Sequence, residues 1–133
     1  MNANELMIGD WVYNKHHKKN IQITPYDFFT HGHLPSGRQY FIGEPELVSG
    51  RDLEPILLTP EILEKIGFET QPNIGYIIDG YDGTQIIYDR WNNNLRIIKD
   101  YKTCLDIKTF SGLSVHELQH ALRICEIEKE IKL

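Results

Sequence analysis

The residues from His116 to His120, His-Glu-Leu-Gln-His, have the types and spacing of a zinc peptidase helix. Two histidines one helical turn apart can hold a metal, and the glutamate between them can take a proton from bound water. A metal-dependent hydrolase using His116, Glu117 and His120 is therefore one reading of the chain. Three features favour another. Ser114 and Glu117 have capping-box spacing, which gives the glutamate a structural task at the third helical position. At 100° per residue, Val115, Leu118, Ala121, Leu122 and Cys125 form an apolar seam, and both histidines fall off it, so they are expected to face solvent. The third-ligand slot of the elongated peptidase pattern falls at Glu126, and Arg123 stands where the chain would need a turning glycine. The helix is accordingly expected to be architectural, with no metal and no cofactor, in a chain that is not an enzyme.

Two other groups have chemical potential. His16, His17, His31 and His33 could converge on a metal, although no cysteine or carboxylate nearby completes a ligand set, and solvated loop histidines are the expectation. Trp11, Tyr13, Lys15, Lys18, Lys19, Arg38 and Tyr40 combine aromatic faces with cations. Alternate strand residues share a face, so Trp11 and Tyr13 can lie together beside a lysine loop. Rings stack on aromatic side chains, and lysine and arginine hold phosphate. These seven residues are the candidate ligand-binding set.

Charge points the same way. The 133 residues carry a net charge of −5, which argues against general nucleic-acid binding. From Trp11 to Gly43, however, Lys15, Lys18, Lys19 and Arg38 face Asp27 alone, a local charge of +3. The remaining ten basic and eighteen acidic residues give −8. No apolar run reaches the length of a membrane span, and the first residues lack a signal-peptide pattern, so a cytoplasmic protein is expected. Cys104 and Cys125 are too few for a disulfide framework, and two free, buried thiols are expected.

The elements that would position these residues follow from turn and cap signals. Gly9-Asp10 leads into a strand beginning at Trp11, and Ile21 to Thr24 alternates as a second strand. Pro25 to Ser36 reads as irregular, with His31 to Pro35 an exposed loop, and Gln39 to Ile42 restarts a strand. Leu53 to Leu58 is an extended link into a short helix with Thr59 as N-cap, Pro60 at its first position and Gly67 as its stop. Tyr76 to Phe110 reads as an antiparallel meander. Asp82-Gly83 turns one hairpin, and the run Asn92-Asn93-Asn94 suits left-handed turn geometry. Thr103 to Thr109 alternates, with Leu105 and Ile107 on one face. The Ser114 helix should cross that sheet, and Ile127, Ile131 and Leu133 would share one face of a terminal strand.

The expected fold is α+β: an SH3-like small β unit over residues 1–58, then a short helical clip and an antiparallel meander packed by a C-terminal helix over 59–133, with one shared core. The segments Leu6 to Val12, Leu53 to Phe68 and Val115 to Leu122 resemble a large group of small uncharacterised proteins of Bacteroidota and their phages and mobile elements. That resemblance covers the start of the chain, the middle clip and the last helix. It implies an accessory gene of phage type and brings no catalytic residues with it. The functional expectation is a non-enzymatic binding protein that captures a small anionic, nucleotide-like ligand or a host protein to counter host defence. A purely structural or docking module is a further alternative. A homo-oligomer would pair along the terminal strand edge.

Overall fold

The structure is a computed structural model. It describes residues 6–15, 17–24, 53–80, 83–109 and 112–133, together with the backbone of 30–33 and 39–42. The fold is α+β, and the chain divides into two compact units, Met1–Ile56 and Leu57–Leu133.

In the first unit, β1 (Trp11–Asn14) pairs antiparallel with both β2 (Lys19–Gln22) and β5 (Leu53–Pro55), giving the order β2-β1-β5. The entry turn explains the Gly9-Asp10 signal. Gly9 takes a φ of 91°, and the fully buried Asp10 accepts a 2.7 Å hydrogen bond at its carboxylate from the Met7 amide. Backbone bonds from Gly9 N to Ile23 O and from Ile23 N to Asp10 O extend the pairing past β2. Alternation then buries Val12 and Asn14, and Leu6, Val12, Ile23 and Leu53 close a small core with Ile21 against it. Leu53 to Pro55, expected as a connecting link, is the third strand of this sheet.

Thr30–His33 (β3) pairs with Gln39–Ile42 (β4). His31 and His33 are thus strand residues, which corrects the loop expected there. A ladder made by backbone groups needs no apolar alternation in the strand that joins it.

The second unit opens with α1 (Pro60–Ile66). Thr59 Oγ accepts from the Ile62 amide, and Gly67 ends the helix at a φ of 111°. That left-handed value favours glycine, and it lets Phe68 N reach Leu63 O at 2.9 Å. Leu63 and Ile66 are buried, as the clip pattern requires.

Five antiparallel strands follow in the order β10-β9-β8-β7-β6: β6 (Glu69–Gln71), β7 (Gly75–Asp79), β8 (Gln85–Asp89), β9 (Asn94–Lys99) and β10 (Lys102–Lys108). β6 extends the expected meander by one strand. Cross-strand pairing puts Tyr76, Ile78, Ile86, Tyr88, Leu95, Ile97, Leu105 and Ile107 on one face. Of these, Ile86, Tyr88, Leu95 and Ile97 are buried. Gly75 is required by close approach, since a Cβ there would lie 2.7 Å from Tyr88 O.

Helix α2 (Val115–Ile124) packs against the strands and buries Val115, Leu118, Ala121 and Leu122. It ends in a Schellman turn: Glu126 N donates to Arg123 O, and Ile127 N to Leu122 O. The chain beyond has no strand. Ile131 is buried, but residues 127–133 join no sheet, so the expected terminal strand, and the pairing edge it would offer, do not form. Among the described residues, no helix is long and apolar enough to cross a membrane.

Glu126 holds the left-handed position of that turn at a φ of 56°, a conformation costing a residue with a Cβ about 1 kcal/mol or more. Glu126→Gly is expected to raise stability by about 0.5–1 kcal/mol in urea unfolding, with the m-value unchanged.

Candidate functional site

The capping box at the start of α2 is complete. Glu117 Oε2 accepts from Ser114 N at 2.8 Å and from Ser114 Oγ at 2.9 Å, while Ser114 Oγ receives the Glu117 amide at 3.4 Å. The Glu117 carboxylate is therefore spent on the helix start. His116 does not face water as expected: it is 6% exposed, and its Nδ1 lies 2.9 Å from Ser114 Oγ. With the Ser114 hydroxyl proton directed at Glu117, His116 Nδ1–H is the donor in that contact. His120 is half-buried and meets the His116 ring edge-on, centroids 5.7 Å apart. The helical wheel excludes both histidines from the apolar seam, but it carries no information on what covers the other side. Among the described residues, no three His, Cys, Asp or Glu side chains gather as a metal site.

The basic-aromatic set is spread out. Trp11 and Tyr13 are half-buried at alternate positions of β1, the side opposite Val12 and Asn14. Lys15 is exposed and paired with Glu54 at 3.2 Å. Lys18 and Lys19 are exposed at the β1–β2 turn, where Lys18 has a φ of 51° and Asn14 Oδ1 accepts from the His17 amide. Tyr40 lies in β4, whereas Arg38 and His16 fall outside the described residues. His17 is exposed in the same turn.

A cleft of about 420 Å³ lies in the second unit. Its walls are the Leu57–Thr59 segment, Tyr76 and Tyr88 of β7 and β8, the turn from Arg90 to Asn93, and Gly112-Leu113. Backbone bonding brings these together. Leu58 N donates to Leu113 O at 2.9 Å, Leu57 bridges Ser114, and the buried Tyr88 hydroxyl accepts from Leu113 N at 3.3 Å.

The β8–β9 turn carries the cleft's distinctive chemistry. Trp91 is 92% exposed, and Arg90 makes no ion pair among the described residues. An indole held so fully in water is uncommon. Asp89 organises the turn, its carboxylate accepting from the amides of Trp91 (3.0 Å) and Asn92 (3.2 Å) and from Asn92 Nδ2 (2.6 Å). The Asn92 side chain first, with the backbone amides, holds the Asp89 carboxyl below the usual aspartate range. Asn93 completes the turn at a φ of 50°. Glu61 is likewise shifted down, by its own backbone amide, then the Thr59 hydroxyl and, least, Arg90. Arg90 thus has one carboxylate within electrostatic reach, which tempers its pull on an anion.

The residues of this site are scattered from Leu57 to Leu113, so their spacing in the sequence carries no sign of it. The asparagine run signalled the turn, but not that its tryptophan stays in water. Comparison with family models, with curated proteins and with solved structures finds no match for this chain.

The turn's pH dependence follows from Asp89. Because its pKa is depressed on folding, its contribution is present above the unfolded aspartate range and is lost as pH falls through the lower, folded value. Trp91 indole and Asn92 amide NMR signals are expected to move on acidification with a midpoint below that of an ordinary aspartate. Asp89→Ala should shift them at every pH.

Proposed function

We propose that the protein is a non-catalytic binding module whose cleft between the β8–β9 turn and the Gly112-Leu113 segment takes a small anionic ligand with a flat ring, a nucleotide being the model. One observation carries this reading: a solvent-held indole next to an arginine that makes no ion pair among the described residues, both on the wall of a cleft of ligand size. A volume of about 420 Å³ falls within the range of small-molecule sites. Leu57, Leu58 and Leu113 offer apolar wall, Tyr76 and Trp91 offer ring faces, and Arg90 offers a planar fork for phosphate or carboxylate. Stacking on such a ring contributes about 1–3 kcal/mol per base, and a charge-assisted pair a similar amount.

The lysine turn is the weaker candidate. Its Lys15 is already paired with Glu54, and none of its lysines lines the cleft described above. The resemblance to proteins of Bacteroidota phages and mobile elements supports a setting in which capture of a nucleotide signal blunts host defence.

Quenching of tryptophan fluorescence by adenosine and guanosine monophosphate, measured in a Trp11→Phe background, reads Trp91 alone among the two tryptophans. Saturable quenching is expected, weakened about tenfold or more by Arg90→Gln, where tenfold corresponds to about 1.4 kcal/mol. Glu61→Gln should strengthen binding a few-fold by removing the carboxylate that opposes the ligand. Absence of quenching at millimolar nucleotide, or binding lost in Lys18→Glu but kept in Arg90→Gln, would reject the reading.

A further inference from the structure

Cys104 and Cys125 are joined by a disulfide, with their Cα atoms 5.9 Å apart, which corrects the expectation of two free thiols. Its surroundings are asymmetric. Cys125 caps the C-terminal end of α2 and is 3% exposed, whereas Cys104 is exposed on the edge strand β10. Between Thr103 and Leu105 the β9–β10 register shifts, so Cys104 is the extra residue of a bulge. The bulge lets Leu105 and Ile107 keep their inward pairing with Ile97 and Leu95 while Cys104 reaches the helix end. A shallow groove of about 330 Å³ borders both cysteines and includes Lys99, Lys102 and Ile124. Lys99 Nζ donates to the carbonyl oxygens of Cys125 (3.0 Å) and Glu126 (3.1 Å).

We propose that this pair is a thiol-exchange site, at which a small monothiol of the glutathione class attacks the sulfur of Cys104 and displaces Cys125. The attacking thiolate forms a new S–S bond to Cys104 Sγ. The Cys104–Cys125 bond breaks, and its electron pair leaves on Cys125 as a thiolate that takes a proton from solvent. A second thiolate then attacks the outer sulfur and frees Cys104, so two small thiols are oxidised to their disulfide and the protein gains two electrons and two protons. Access selects Cys104 as the sulfur attacked, because exchange needs in-line approach.

The leaving sulfur sits at a helix C-terminus, whose partial negative charge disfavours a thiolate. The Lys99 ammonium, fixed on the last carbonyls, supplies the opposing charge. Nothing else at this junction needs the bond. α2 keeps its capping box, its Schellman turn and its buried seam, and β10 keeps its ladder to β9. Exchange therefore removes the covalent tie between the helix end and the edge strand β10, while Lys99 of β9 still holds the last carbonyls of the helix.

The test treats the full chain with excess reduced glutathione, quenches with acid at intervals, and maps adducts by mass spectrometry alongside far-ultraviolet circular dichroism. An intermediate with glutathione on Cys104 and none on Cys125 is expected, followed by a reduced protein with unchanged helical signal and a Tm lower by about 10 °C. Lys99→Met should slow the exchange several-fold. In Cys125→Ser, oxidised glutathione should modify Cys104 fully. A bond that survives hours of excess glutathione, an adduct on Cys125, loss of helical signal on reduction, or a Cys104 inert in Cys125→Ser would each overturn the proposal.

Discussion

The second unit depends on one backbone junction. Leu58 donates to the Leu113 carbonyl, and Leu113 donates to the hydroxyl of Tyr88, so the entries of both helices are pinned to the middle strand of the sheet. Each bond contributes only about 1 kcal/mol, but a buried amide or phenol left without its partner costs about 1–3 kcal/mol. Leu113 and Tyr88 are both nearly inaccessible, so the junction has no water to fall back on. It also sets the cleft, since the pinned segments form one wall and the turn after β8 the other.

The two units rest on the same kind of device. A buried carboxylate, Asp10, holds the turn into β1, and a solvent-facing one, Asp89, holds the turn that presents Arg90 and Trp91. Both satisfy amides that a tight turn leaves unpaired. They differ in consequence. Asp10 supports a core, whereas Asp89 keeps an indole and a guanidinium in place outside one.

What could be read from the residues alone was local. Thr59, Pro60 and Gly67 bound α1, Ser114 and Glu117 cap α2, and Gly83 and Asn93 turn their hairpins, because each signal acts within four residues of its effect. What failed was long-range. The partner of Cys104 lies 21 residues away, and nothing in the spacing shows that a bulge aims it there. Helical periodicity reports which residues share a face but not how many faces are covered, so it gives no sign that His116 is buried. The alternation of Ile127, Ile131 and Leu133 has the period of a strand, yet a strand needs an edge to pair with, and here the chain follows the Schellman turn as coil with Ile131 buried. The cleft was the least legible feature, being assembled from four segments that only the sheet brings together.

The proposed recognition site belongs to the unit that follows Ile56 and not to the lysine-rich turn that local charge alone would select. The most direct measurement is a backbone and indole ¹⁵N NMR titration of the full chain with adenosine monophosphate. The account predicts that the largest shifts fall on the Trp91 indole and the amides of Leu58, Asn93 and Leu113, with Lys18, Lys19 and Trp11 still. Shifts confined to Lys18, Lys19 and Trp11, with the Trp91 indole unmoved, would contradict it.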